Sequence, residues 1–104
     1  KIQAWQAADE LAVAVYKASA EFPREELYGL TSQLRRAVVS VAANIVEGSA
    51  RGTQKDYLHF LHMARGSLSE VQYLIHLAGR LSYLAGAESE ALEARIKSAF
   101  VRKP

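Results

Sequence analysis

The stretch QLRRAVVSVAANIVEGSAR, residues 33–51, decides the fold of this chain. Its apolar residues recur every three or four positions, which is the spacing of one face of an α-helix. Leu34, Val38, Val41 and Ile45 belong to the stripe that we expect to face a core. Neighbouring apolar residues extend that stripe past half of the helix circumference, whereas a surface helix needs an apolar face only about 100° wide. The extra width favours self-association. It is contributed by Val39, Ala42 and Val46.

A row of polar residues runs beside the apolar stripe, and we call it the polar ladder. Glu47 and Arg51 stand in the favourable acidic-before-basic order at i,i+4. An asparagine beside an apolar face can fix register or oligomeric state. We therefore predict a structural or assembly role for the ladder, with direct ligand binding as the alternative. Its members are Arg36, Ser40, Asn44, Glu47 and Arg51.

The periodicity predicts four helices, over residues 3–21, 32–49, 54–81 and 88–101. Phe22-Pro23 ends the first helix, because proline disfavours helix in the residue before it. Thr31 is the expected N-cap of the second helix, and Gly48 and Gly52 bracket its end. Thr53 begins the third helix in a capping-box-like sequence. The short connection between the second and third helices predicts that they are antiparallel neighbours.

Gly66 and Ser67 lie in the middle of the third helix. A glycine there costs up to about 1 kcal/mol relative to alanine. We expect close approach of a neighbouring helix, or of another subunit, to compensate for this cost. Gly66 and Ser67 are therefore predicted helix-packing residues.

The length and composition are those of one small domain, residues 1–104. Its formal net charge is +2. Residues 31–65 carry a net charge of +3, so the basic excess is concentrated there. The chain has no cysteine, which excludes disulfides and thiolate chemistry, and no apolar run reaches the ~20 residues of a membrane span. It begins at Lys1, so we expect residues to precede it in the natural protein. A cytoplasmic location is the expectation, with no membrane partner.

Two separated motifs resemble the family encoded by intervening sequences in bacterial 23S rRNA genes, the four-helix bundle proteins. The first motif reads Gln-Leu-Arg-Arg-Ala, Ser, Asn-Ile-x-Glu-Gly, Arg and is matched at positions between Gln33 and Arg51. The second reads Phe-Leu-x-x-Ala-x-Gly-Ser-Leu-x-Glu and is matched at positions between Phe60 and Glu70. Ala42, Ala43 and Val46 depart mildly from the pattern.

The resemblance implies an all-α, antiparallel up-down four-helix bundle that assembles into a homopentamer. Related accessory proteins of diversity-generating retroelements bind nucleic acid and a reverse transcriptase. The resemblance therefore implies a non-catalytic oligomer that binds RNA or DNA. The alternative is a structural homo-oligomer that scaffolds a protein partner.

Basic residues near the second helix are the candidate nucleic-acid contacts, because lysine and arginine neutralise backbone phosphates. These are Arg35, Arg51 and Lys55, with Tyr57 beside them. Arg35 projects toward Val39 and Val46, a position that equally suits the rim of a subunit interface.

Catalytic and metal-binding patterns do not emerge from the sequence. His59 lies opposite the apolar stripe of its helix, so we expect a surface histidine rather than a metal ligand. Ser40 and Ser67 lack a nucleophile elbow, and phosphate-loop glycines are missing. We expect no enzymatic activity and no cofactor.

Overall fold

The computed structural model describes residues 2–99, with side chains from Trp5 onward. Four α-helices follow one another along the chain: α1 (Ile2–Ser19), α2 (Leu30–Ser49), α3 (Gln54–Arg80) and α4 (Gly86–Ser98). A 3-10 turn, Arg24–Glu26, lies between α1 and α2. Each of α1 and α3 packs on both α2 and α4, with the most extensive packing between α2 and α3. The predicted all-α bundle is confirmed. Among the described residues, no helix is both long enough and apolar enough to cross a membrane.

All four helices contribute to a single apolar core. The stripe predicted on α2 is buried, because its side chains meet those of α1 and α3. On α3 the apolar stripe is fully buried at Ala64 and from Val71 onward, whereas Tyr57, Phe60, Leu61 and Leu68 remain partly exposed. The largest fully buried side chains are Leu11, Val15, Leu34, Val38, Val41, Ile45, Val71 and Ile75.

The start of α2 differs from the prediction. Thr31 is buried inside the helix rather than capping it, and α2 begins at Leu30. Glu26 replaces the expected cap, since its Oε1 accepts a hydrogen bond from the backbone N of Leu30 at 3.1 Å. The other carboxylate oxygen, Oε2, accepts from the Tyr83 hydroxyl at 2.9 Å. One carboxylate therefore supplies the helix start and ties it to the α3–α4 connection. The hydrogen bond to Glu26 raises the pKa of Tyr83.

Both ends of α3 have well-defined caps. The Thr53 hydroxyl accepts from the backbone N of Asp56 at 3.1 Å, as the capping sequence predicts. At the C-terminal end, Tyr83 N donates to Ala78 O at 2.9 Å and Ser82 N donates to Gly79 O at 3.0 Å. This is the Schellman pattern, and it places Ser82 at a φ of 63°. The caps fix the length of α3 at 27 residues, or about 40 Å.

The glycines play different parts from those expected. No glycine in the described residues has a positive φ, so neither Gly48 nor Gly52 ends α2 in a left-handed cap. Gly48 instead marks the close approach of α2 and α3, because a Cβ there would lie 2.9 Å from Phe60 Cβ. Gly66 has open space around it within the chain, so the close crossing expected there does not occur inside the bundle.

The last helix, α4, begins two residues earlier than predicted and ends at Ser98. It spans Gly86–Ser98, and Leu92 and Ile96 are buried against the core. Ala99 is also buried. Phe100 and Val101, which lie within the range predicted for the fourth helix, and the tail from Arg102 to Pro104 are outside the described residues.

Replacing each glycine by alanine separates a packed glycine from an open one. We expect Gly48→Ala to destabilise the fold by about 1–3 kcal/mol, because the added methyl group overpacks the α2–α3 contact. Gly66→Ala should stabilise it by up to about 1 kcal/mol through helix propensity alone. Urea unfolding monitored by circular dichroism measures both changes. A loss of stability in Gly66→Ala would show that another subunit packs against this position.

Candidate nucleic-acid interface and assembly surface

The polar ladder makes hydrogen bonds within α2 and across to α3. Ser40 Oγ lies 2.9 Å from Ser67 Oγ, which joins the two helices at mid-length. The Asn44 side-chain amide donates to Ser40 O at 2.8 Å and to Ser40 Oγ at 3.0 Å. The predicted Glu47–Arg51 ion pair is present at 2.6 Å, and Arg36 is exposed. Ser40 and Ser67 therefore contribute to helix packing, whereas the assembly role of the ladder stays a prediction.

Arg35 is held against the C-terminal turn of α1. Its Nε donates to Ser19 Oγ at 2.8 Å, and its Nη2 donates to Tyr16 O at 3.1 Å. The guanidinium also lies over the Tyr16 ring, 4.6 Å from the ring centroid. These contacts satisfy carbonyl and hydroxyl groups at the helix end, where a cation is favoured. In this conformation Arg35 links α1 to α2.

Arg51 and Lys55 lie at the opposite end of α2 from Arg35. Arg35 lies fourteen positions before Ser49, the last residue of α2, so about 21 Å of helix separates it from the connection that holds Arg51. Arg51 pairs with Glu47 and stacks on Phe60, with 4.7 Å between the guanidinium and the ring centroid. Lys55 is exposed on the first turn of α3. The three predicted nucleic-acid contacts therefore do not form one patch.

A different basic surface runs along the solvent side of α3, and we call it the outer face of α3. At about 100° per residue its members share an arc about 120° wide, and all are exposed. Within residues 2–99, its lysine and two arginines form no ion pair. The carboxylates of α3, Asp56 and Glu70, lie outside the arc. The outer face consists of Lys55, Leu58, His59, His62, Arg65, Gly66, Ser69, Tyr73, His76 and Arg80.

Other helices leave most of this face uncovered. Near its C-terminal end, Glu93 of α4 lines the same shallow cleft as His76 and Arg80. Toward α2, Glu70 accepts a long hydrogen bond of 3.4 Å from Gln33. These acidic groups flank the face, so its centre presents cations, imidazoles and one tyrosine ring.

Sequence reasoning identified parts of the outer face without assembling it. Lys55 was a predicted contact, and His59 was expected to point outward. The basic excess was assigned to residues 31–65, a segment that contains Arg65 but not Arg80. A helical-wheel projection of the whole of α3 would have placed Lys55, Arg65 and Arg80 on one face.

An apolar surface covers the neighbouring sides of α1 and α2, and we call it the α1–α2 apolar face. Its large side chains are 39–48% exposed. Tyr16 of α1 touches Arg35 of α2 at one end of this surface, and Trp5 of α1 and Val46 of α2 line one cleft at the other end. The exposed apolar residues of the two helices therefore lie side by side. This placement agrees with the excess apolar width predicted for α2. The face consists of Trp5, Val13, Tyr16, Val39 and Val46.

A cleft of about 720 Å³ lies at the Trp5 end of this face. Trp5, Val46, Gly48 and Tyr57 are among the residues that line it, and Arg51 is at its rim. Its described lining contains no carboxylate or imidazole that could act as a general acid or base. Across residues 2–99, no three histidines, aspartates or glutamates cluster as metal ligands would.

Substituting neighbouring arginines tests the structural role of Arg35. We expect Arg35→Ala to lower the free energy of unfolding by about 1–3 kcal/mol, because two charge-assisted hydrogen bonds to α1 are lost. Arg36→Ala, which removes an exposed arginine on the same helix, should change it by less than about 0.5 kcal/mol. Chemical denaturation measures both. Equal effects of the two substitutions would contradict the role assigned to Arg35.

Comparison with known proteins agrees with this architecture. The family model described as 23S rRNA-intervening sequence protein matches residues 1–100. A crystal structure of a protein of unknown function from the S23 ribosomal protein family of Bacteroides thetaiotaomicron VPI-5482 superposes with a TM-score of 0.82. It is 21% identical, and the match covers 92% of this chain and 90% of that one. No curated protein gives a significant match. The chain belongs to the 23S rRNA-intervening sequence protein family.

Proposed function

We propose that this protein is a non-catalytic, self-associating helical bundle that binds nucleic acid through the outer face of α3. The observation that carries the proposal is the outer face itself. Lys55, Arg65 and Arg80 are exposed along it without ion-pair partners in the described residues. They project from the same side of a helix about 40 Å long. A linear polyanion laid along the helix can meet all three.

The chemistry of such binding is neutralisation of phosphates. Each lysine or arginine that contacts a phosphate releases condensed counterions, which makes the affinity steeply salt-dependent. Imidazoles and the Ser69 hydroxyl add hydrogen-bonding groups that can reach phosphate oxygens. None of the described groups forms a recognisable base-reading motif, so we expect tolerance of sequence.

Self-association would multiply this weak surface. The α1–α2 apolar face lies on the side of the bundle formed by α1 and α2. Because α1 does not pack on α3, this face and the outer face of α3 lie on different sides of the bundle. Subunits that meet through the apolar face therefore leave the outer face of α3 in solvent. A ring repeats each basic stripe and strengthens the field that attracts a polyanion. The family resemblance leads us to expect five subunits.

A structural homo-oligomer that scaffolds a protein partner is the second candidate function. The α1–α2 apolar face favours it, because contiguous exposed apolar surface commonly marks a protein contact. This candidate requires no nucleic acid. Native mass spectrometry before and after nuclease treatment distinguishes the two, since only the first predicts co-purifying nucleic acid.

Removing the three cations of the outer face should reduce nucleic-acid binding. We expect the Lys55→Ala, Arg65→Ala, Arg80→Ala triple variant to lose affinity for RNA and DNA alike. The slope of log affinity against log salt should fall by about 2–3, because each lost phosphate contact contributes about 0.7–0.9. Fluorescence anisotropy with labelled 20-nucleotide probes measures this.

The matched control removes three exposed cations elsewhere: Lys17, Arg24 and Lys97, each to alanine. It produces the same change in net charge, so any difference between the two variants reports position. Equal losses in both would reject a defined site on α3, and undetectable binding of the parent protein at low salt would favour the scaffold.

A charge placed on the α1–α2 apolar face should disrupt assembly. We expect Val39→Glu to dissociate the oligomer, because the contact would have to bury an unpaired carboxylate. The control is Leu81→Glu, since Leu81 is 45% exposed, as Val39 is, and lies at the C-cap of α3 rather than on α1 or α2. Native mass spectrometry should give five times the 11.4 kDa chain for the parent and control, and one chain for Val39→Glu. A monomeric parent protein at micromolar concentration would refute self-association.

A further inference from the structure

We infer that the outer face of α3 binds single-stranded nucleic acid in preference to duplex, with Tyr73 as the side chain on which an unpaired base stacks. This inference rests on the proposed function and specifies its ligand. Tyr73 is an aromatic residue that lies among the basic residues of the outer face of α3.

Tyr73 stands out among the side chains of α3. It is 58% exposed, although the next residue, Leu74, is buried in the core. Its ring lies beside the His76 ring, with 6.3 Å between the centroids and 38° between the planes. The two rings form a small aromatic surface turned toward solvent. A flat π-surface of this kind loses contact with water when another ring covers it.

The cations lie on both sides of Tyr73 along the helix. Arg65 precedes it by eight residues, or about 12 Å, and Arg80 follows it by seven, or about 10 Å. A strand running along α3 can place phosphates near both arginines and turn an intervening base onto Tyr73. The surface beside Arg65 is recessed at Gly66, because glycine has no side chain and no neighbouring side chain lies within 4 Å of where its Cβ would be.

Duplex and single strand differ in what they offer to this surface. Both carry phosphates, so both can neutralise Lys55, Arg65 and Arg80. In a duplex the base faces are stacked on one another, whereas a single strand can splay a base onto an aromatic side chain. Such stacking contributes about 1–3 kcal/mol per base and tolerates any base. The tyrosine therefore adds affinity only for unpaired strands.

The test compares three probes of equal length at one low salt concentration: single-stranded DNA, single-stranded RNA and duplex DNA. Anisotropy titrations use the parent protein, Tyr73→Ala, Tyr73→Phe and Tyr28→Ala. Tyr28 is the matched control, since it is 93% exposed and lies in the α1–α2 connection. Circular dichroism and native mass confirm that each variant keeps its fold and assembly.

We expect the parent protein to bind both single strands more tightly than the duplex. Tyr73→Ala should weaken single-strand binding by about 5–100-fold and leave duplex binding within about twofold. Tyr73→Phe should retain the preference, and Tyr28→Ala should behave as the parent. Equal affinity for single strand and duplex, or single-strand binding unchanged in Tyr73→Ala, overturns the stacking inference while polyanion binding stands. Binding to none of the probes overturns the proposed function as well.

Discussion

The close approach of α2 to α3 at Gly48 holds the two longest helices together and determines which side of each helix faces the core. Gly48 contributes no side chain there, and a Cβ at this position would lie 2.9 Å from Phe60 Cβ and 3.3 Å from Tyr57 O. Farther along, the Ser40–Ser67 hydrogen bond joins two small side chains across the same interface. Small residues at both places allow two long helices to lie side by side, burying apolar stripes between them. The rotation of α3 is thereby fixed, and with it the set of residues that faces water.

The separation of the two proposed surfaces follows from this arrangement. Because α1 and α3 pack on α2 and α4 but not on each other, the α1–α2 apolar face and the outer face of α3 lie on different sides of the bundle. One surface is apolar, and the other carries Lys55, Arg65 and Arg80 around an exposed tyrosine. A small domain can thus present one side to its own copies and another to a polyanion. Among the described residues, neither surface carries a group of three potential metal ligands.

Helical periodicity predicted the four helices and most of the core, because burial on a helix leaves a repeating apolar stripe. It could not assign the glycines. Gly48 and Gly66 look alike in sequence, and only the packed structure shows that one meets Phe60 and the other meets solvent. It also could not identify the partners of polar residues distant in the chain. Glu26 rather than Thr31 supplies the start of α2, and Arg35 is engaged by the end of α1. The basic surface was missed for a related reason: charge counted by segment does not reveal which cations share a face.

Hydroxyl-radical footprinting of the assembled protein, with and without a 20-nucleotide single strand, reports on both proposed surfaces in one experiment. Side chains of both surfaces react with the radical when they are exposed to solvent. We expect Tyr16 and Trp5 to be protected in the assembly whether or not the strand is present. We expect Tyr73, His62 and His76 to react freely in the assembly and to become protected when the strand binds. Protection of the outer face of α3 without nucleic acid, or no change there on binding, would show that this face is not the nucleic-acid site.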